Sequence, residues 1–143
     1  MALRSWSPRL TGAALCAGVG GLELGLGLVL SDYRSVLYCE REAFNAARLV
    51  ALMEEGVLDP APIWDDVVTL DGRRWRGLVD LVSAGFPCQP WSTAGKREGV
   101  DDERWIWPDL RDRICEMEPW IVWLENVRPL VSRGGLAAVL GDL

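Results

Sequence analysis

The chain contains no histidine among its 143 residues. Ser-His-Asp or Cys-His hydrolysis and imidazole-ligated metal sites therefore have nothing to build on. Four cysteines, Cys16, Cys39, Cys88 and Cys115, form no CxxC pair and keep no regular spacing, which argues against a zinc ribbon. A disulfide framework is not expected either: no signal peptide precedes them, and a chain that is 50% hydrophobic needs no covalent staples. The longest apolar tract, residues 22–30, is broken by Glu23, Gly25 and Gly27 and is too short to span a bilayer. Basic charge is also scarce. Fifteen Lys and Arg face 21 Asp and Glu, and the net charge of −6 argues against gripping nucleic acid by charge alone. No repeat, low-complexity segment or linker divides the chain. The expectation is one soluble, reduced, cytoplasmic domain over residues 1–143, too apolar at a mean hydropathy of +0.10 to be disordered.

Short apolar runs alternate with stretches of helical periodicity. Residues 11–16 form a run followed at once by Gly18, Gly20 and Gly21; residues 36–39 form a second, ended by Glu40. Phe44, Ala47, Val50 and Ala51 recur at helical spacing, and Asp59-Pro60 is expected to stop that helix. Residues 78–84 make a third run, ended by Gly85 and Pro87. Trp107, Leu110, Ile114 and Met117 define another helical face, with Pro108 in its first turn and Pro119 beyond its end. Residues 120–124 are a final run, closed by Glu125. Strands of this kind alternating with helices predict an α/β fold, a doubly wound, mainly parallel sheet with helices on both faces. Eight tryptophans read first as core and interface packing.

In such sheets ligands bind beyond the carboxyl ends of the strands, and the residues at those positions are far from random. Ala17-Gly18-Val19-Gly20-Gly21 joins a strand to a helix. Its glycines allow a tight turn and close backbone approach to a ligand, next to the free N–H groups of a helix start; a turn that simply packs tightly is the plainer alternative. The spacing is GxGG and does not match the GxGxxG dinucleotide fingerprint. Glu40, 22 residues beyond Gly18, is suited to accept hydrogen bonds from ribose hydroxyls, or it is a solvated charge opening the next helix. Of Asp65 and Asp66, one reads as an N-cap and the other as an acceptor for a base amino group.

The sharpest element is Gly85-Phe86-Pro87-Cys88-Gln89-Pro90-Trp91-Ser92. Two prolines fix the backbone around Cys88 and turn its thiol outward, whereas Cys16, Cys39 and Cys115 read as small buried hydrophobes. Nucleophilic use of Cys88 needs a depressed pKa or a transition state that assists deprotonation. Glu125-Asn126-Val127 follows 37 residues later, and adjacent strand ends would bring Glu125 near that thiol. A carboxyl in apolar surroundings stays protonated near neutral pH and serves as an acid; a solvated strand-end glutamate is the alternative.

Taken in order, these residues resemble the DNA cytosine-5 methyltransferase family. The segment from Leu15 through Cys16, Ala17, Gly18, Val19, Gly20 and Gly21 to Leu22 resembles its first motif. Glu40, Asp66-Val67, Gly85-Phe86-Pro87-Cys88-Gln89 and Glu125-Asn126-Val127 resemble its second, third, fourth and sixth, so the likeness covers about residues 11 to 130. Ile63-Trp64-Asp65-Asp66 and Ser132-Arg133-Gly134-Gly135 give it a bacterial or phage style. The resemblance implies S-adenosylmethionine as methyl donor and a flipped-out cytosine in double-stranded DNA as acceptor. It implies Cys88 as nucleophile at C6 and Glu125 as the group holding N3 and the exocyclic amine. Cys16, Ala17, Gly18, Gly20, Gly21, Glu40, Asp66, Val67 and Pro87 would form the cofactor pocket. Gln89, Ser92 and Asn126 would face the substrate, and residues 92–104 would close over DNA with Lys96, Arg97 and Arg104 meeting phosphates.

Cys16 stands where the family usually carries a phenylalanine against adenine. The downstream arginine motif, the target-recognition region and the late cofactor motif are missing before Leu143. The expectation is an N-terminal catalytic part, from a truncated, split or partial gene, that works with a C-terminal part or second polypeptide carrying the target-recognition region. The competing expectation is a catalytically inactive cofactor-binding or interaction module. A nicotinamide oxidoreductase fits less well, since it would leave the Cys-Glu pair without a use.

Overall fold

The computed structural model of the chain describes residues 9–87, 105–132 and 134–143. Five strands form one sheet: β1 (Leu10–Leu15), β2 (Tyr33–Cys39), β3 (Ile63–Trp64), β4 (Leu81–Gly85) and β5 (Ile121–Glu125), in the spatial order β3-β2-β1-β4-β5. Every neighbouring pair runs parallel. The helices are α1 (Gly21–Val29), α2 (Ala43–Glu54), α3 (Trp107–Met117), α4 (Arg128–Ser132) and α5 (Gly135–Asp142), with a short 3-10 turn over Gly72–Trp75. From the centre, β1-α1-β2 winds one way and β4-α3-β5 the other. This is the expected doubly wound sheet.

The strand period of two assigns each side chain to a layer. Ala13, Leu15, Leu37, Cys39, Val82 and Ala84 point to one face, where they meet α3, α4 and α5. Ala14 and Tyr38 turn to the other face against Leu49 of α2 and Leu58, while Tyr33 and Leu81 meet Leu26 of α1. The β1–β2 pairing contains a bulge: Gly12 lies opposite Ser35 but Ala13 lies opposite Leu37, so Val36 is an extra residue.

The face of α3 matches its periodicity, with Trp107, Leu110, Ile114 and Met117 all buried. The face of α2 does not. Phe44 is 80% exposed and Ala47 and Val50 are exposed, while Leu49 is fully buried with Leu52 and Met53 packed beside it. Residues 49–53 are all apolar, so more than one helical stripe could be drawn through them. The stop also comes earlier than Pro60. Gly56, at φ 73°, ends α2 with Val57 N–H donating to the Leu52 carbonyl and Gly56 N–H to that of Met53, a Schellman motif.

β4 and β5 begin later than their apolar runs. Leu78 and Trp120 are exposed, and the strands start only after Asp80 and Trp120. Asp80 ties the entry to β4 onto β1: its carboxylate accepts both the N–H and the hydroxyl of Thr11, at 2.9 and 2.8 Å. Cys115 is exposed, on the outer side of α3 between the inward positions 114 and 117, so it is no core residue. Cys39 is buried as expected. The tryptophans divide, Trp105 and Trp107 inside and Trp64, Trp120 and Trp123 outside. Among the described residues no helix is long and apolar enough to cross a membrane, and no group of three His, Cys, Asp or Glu could hold a metal ion.

Candidate active site

The winding direction reverses between β1 and β4, and the crevice beyond their carboxyl ends is where doubly wound sheets bind ligands. The turn after β1 is shaped by left-handed backbone: Cys16 at φ 55°, Gly18 at φ 57° and Gly20 at φ 80°. Gly20 caps α1, and a Cβ there would lie 2.5 Å from Leu58 Cδ1, so both conformation and space demand glycine. Gly21 begins the helix, and Ala17 donates its N–H to the Cys39 carbonyl, which locks the turn to the end of β2.

Glu40 follows β2 and reaches across to this turn. One carboxylate oxygen accepts Gly18 N–H at 2.7 Å, and the other accepts Glu42 N–H at 2.7 Å with the Asn45 amide at 3.5 Å. The predicted glycine turn and acid are thus one unit. A buried carboxylate holding backbone N–H groups is a strongly positioned acceptor, and the oxygen bonded to Gly18 alone keeps a second lone pair for a ligand hydroxyl. Burial, reinforced by the Glu40 and Asp66 carboxylates, pushes the half-buried Cys16 thiol up to about 12, so it stays neutral and sits beside both acids.

Asp66 follows β3. Its Oδ1 accepts Val68 N–H at 2.9 Å, an Asx turn, and no α-helix begins there. Val67 points into the core at 3% exposure. Behind the glycine turn, Glu23 in the first turn of α1 is buried and accepts the Ser83 hydroxyl of β4 at 2.6 Å. Burial raises its carboxyl above the ordinary value of 4.5 against the opposing Ser83 hydrogen bond, and the Glu23–Ser83 contact joins α1 to β4.

On the other side of the crevice, the pairing register sets Gly85 opposite Glu125. A Cβ on Gly85 would lie 3.3 Å from Glu125 Oε2, so the carboxyl lies over the strand end leading into Phe86 and Pro87. Glu125 is exposed, so the apolar surroundings expected for it are not supplied by the described residues. Asn126 donates its side-chain amide to the Phe86 carbonyl at 2.9 Å and accepts Val127 N–H at 2.8 Å. Its amide ties the two strand ends together. Pro87 is exposed, and Phe86 is buried with its ring 5.6 Å from Trp107 and 6.1 Å from Trp105. Cys88, Gln89, Ser92 and the basic residues of the 92–104 segment lie outside the described residues.

The family model described as C-5 cytosine-specific DNA methylase matches residues 10–136, nearly the whole chain. The chain belongs to that family. Its members use S-adenosylmethionine, and Gly18, Glu40 and Asp66 all lie just beyond the carboxyl ends of β1, β2 and β3. Curated relatives include the Type II methyltransferase M.PspPI of Psychrobacter sp. (strain TA137), 36% identical over 85% of this chain and 28% of its own length. M.NgoMIV of Neisseria gonorrhoeae is 34% identical over 87% and 38%. M.HgiCII of Herpetosiphon aurantiacus is 43% identical over 82% and 26%. This chain therefore spans about a third of such relatives. Among solved structures, a DNMT2 mutant from Spodoptera frugiperda superposes with a TM-score of 0.70 at 17% identity, over 93% of this chain and 40% of that one. S. pombe Dnmt2 gives 0.65 at 19% identity, over 94% and 42%. The shared architecture is the Rossmann-like methyltransferase fold.

The position of Glu40 against Gly18 was readable from sequence as a spacing. Arg113 and Glu116 were not, because their partners on the 68–72 turn lie on a separate segment; the local signal is the Arg113–Glu116 spacing along one helix face.

Proposed function

We propose that this chain is the cofactor-binding and catalytic portion of a DNA cytosine-5 methyltransferase, acting on a cytosine flipped out of double-stranded DNA. The observation that carries this reading is the register of β4 against β5, which sets Glu125 beside the strand end leading into Pro87-Cys88. Glu40 would hold the ribose hydroxyls, Asp66 the adenine amino group, and the Cys16–Gly21 turn the methionine end. Bound there, S-adenosylmethionine supplies an electrophilic methyl group.

The protein's part is to make C5 of cytosine nucleophilic. The Cys88 thiolate adds to C6 while Glu125 gives a proton to N3, so that the ring becomes an enamine whose C5 accepts the methyl group. A base then removes the C5 proton, the C5–C6 double bond re-forms as the Cys88 thiolate leaves, and N3 returns its proton to Glu125. Glu125 is poised to hold N3 and the exocyclic amine throughout, because Asn126 fixes the adjoining turn through the Phe86 carbonyl.

We further propose that sequence reading and DNA grip come from additional polypeptide, continuous or separate, since this acidic chain covers only about a third of its relatives. Among the described residues no strand pairs with the outer edge of β5, and this edge, with a groove of about 320 Å³ between β5 and α1 lined by Leu22, Leu26, Val29, Leu30 and Trp123, supports an added surface there. That open edge equally favours an inactive interaction module as second reading. Incubation with labelled S-adenosylmethionine and a 5-fluorocytosine duplex, with the complementing polypeptide supplied, separates the two. Cys88-dependent covalent trapping is expected; cofactor binding with neither transfer nor trapping would leave the module.

A further inference from the structure

The turn that carries Asp66 is held by a helix that is remote from it in sequence. Arg113 of α3 sends Nη1 to the Leu70 carbonyl at 2.9 Å and to the Val68 carbonyl at 3.2 Å. Glu116, one turn further on, accepts Gly72 N–H at 3.0 Å through Oε2. The two side chains are themselves paired, Nη2 to Oε1 at 3.2 Å and Nε to Oε2 at 3.1 Å. A Cβ on Gly72 would come within 2.8 Å of the Arg113 carbonyl oxygen and 2.9 Å of Glu116, so α3 and the turn pack backbone to backbone.

Within the turn, Asp66 accepts Val68 N–H through Oδ1, and its carbonyl accepts both the N–H and hydroxyl of Thr69. The Asp66 carboxylate is thus held by Val68 N–H and the Asp66 backbone by Thr69, and Arg113 grips the carbonyls on either side of Thr69. A planar fork with five donors can hold two carbonyls and a carboxylate at once, which an ammonium cannot match. Surface ion pairs of this size contribute little by themselves. The fixed direction of the carbonyls is the more consequential product.

We infer that Arg113, held by Glu116, is a positioning residue that sets the Asp66 carboxylate to select the six-amino group of the cofactor's purine. The inference rests on the reading of Asp66 as the adenine acceptor. Its signature is selectivity rather than stability. Loosening the turn lowers discrimination between an amino and an oxo group at purine position 6, while the ribose contact at Glu40 is untouched.

The test is equilibrium binding of S-adenosylhomocysteine and S-inosylhomocysteine to the full chain, taken as an affinity ratio, with thermal unfolding measured alongside. The unaltered chain is expected to favour the adenosyl compound about tenfold or more, the size of one hydrogen bond to a charged acceptor. Asp66→Ala brings the ratio near one. Arg113→Ala lowers the ratio at least about threefold, and Arg113→Lys, which keeps the charge and decides the matter if the alanine variant does not fold, lowers it less. A ratio lost in Asp66→Ala but unchanged in both Arg113 variants overturns the positioning role. A ratio unchanged in Asp66→Ala, or an unaltered chain that binds neither nucleoside, overturns instead the reading of the pocket.

Discussion

On the β1–β2–β3 side of the sheet the strand ends converge on a nearly closed set of contacts. On the β4–β5 side they run out to open surface. Glu40 has both oxygens engaged by Gly18, Glu42 and Asn45, and Ala17 is tied to Cys39. β5, by contrast, is exposed at every second residue, with Trp123 half outside and Glu125 reaching solvent. The proposed cofactor side is held by bonds made within this chain. The proposed substrate side has its register fixed by β4 and by Asn126, but its outer walls are not made by the described residues. A pocket for a small molecule can be pre-formed locally, whereas a surface for a duplex needs area and positive charge that this acidic chain does not carry.

That contrast can be broken most sharply at Cys88. Cys88→Ala, in the complemented enzyme, should reduce methyl transfer by about 10⁴-fold or more while leaving S-adenosylmethionine affinity within about twofold. A parallel loss of cofactor binding, measured by calorimetry, would show that the two sides are not separable. Glu40→Ala should do the reverse. Losing a charged acceptor that organises the Gly18 turn weakens cofactor affinity about 10- to 100-fold, and single-turnover kinetics at saturating cofactor should recover most of the transfer rate.

Smaller effects sharpen the boundary. Gly20→Ala forces a side chain into left-handed backbone and against Leu58, and should destabilise the chain by about 1–3 kcal/mol in denaturant unfolding. An unchanged midpoint would mean that the turn relaxes freely. The smallest effect is expected at the Glu23–Ser83 joint between the two sides. The folded-state pKa of Glu23 is raised by burial from an ordinary value of 4.5, so the proton is bound more tightly in the folded chain. Its contribution is full below the ordinary carboxylate range and is lost as pH rises through the folded value. Glu23→Gln should flatten that part of the stability–pH curve; an identical slope in both proteins would remove Glu23 as its source.

Sequence reading succeeded where one element carried the whole signal. The face of α3 was legible because its apolar residues are separated by charged ones, and the Gly18–Glu40 unit because turn glycines and a strand-end acid are unusual together. It failed where several patterns overlapped: the apolar block at 49–53 concealed which stripe of α2 is buried, and Leu78 and Trp120 extended two runs beyond their strands. The two-residue β3 has no periodicity to detect. The clasp of Arg113 and Glu116 on residues 68–72 joins segments some forty residues apart, and no local pattern encodes that distance.

The bulge at Val36 has a consequence at the far end of the strand. Were Val36 paired with Ala13 instead of bulged out, β2 would run one step, roughly 3.3 Å, further along β1, and Leu15 would face Tyr38 instead of Cys39. Beyond this point the pleat would also be reversed, turning Tyr38 and Cys39 into each other's layers. Glu40 would then overshoot the Gly18 N–H it now holds. One unpaired residue midway along the strand thus acts as a spacer that times the arrival of a carboxylate at its end.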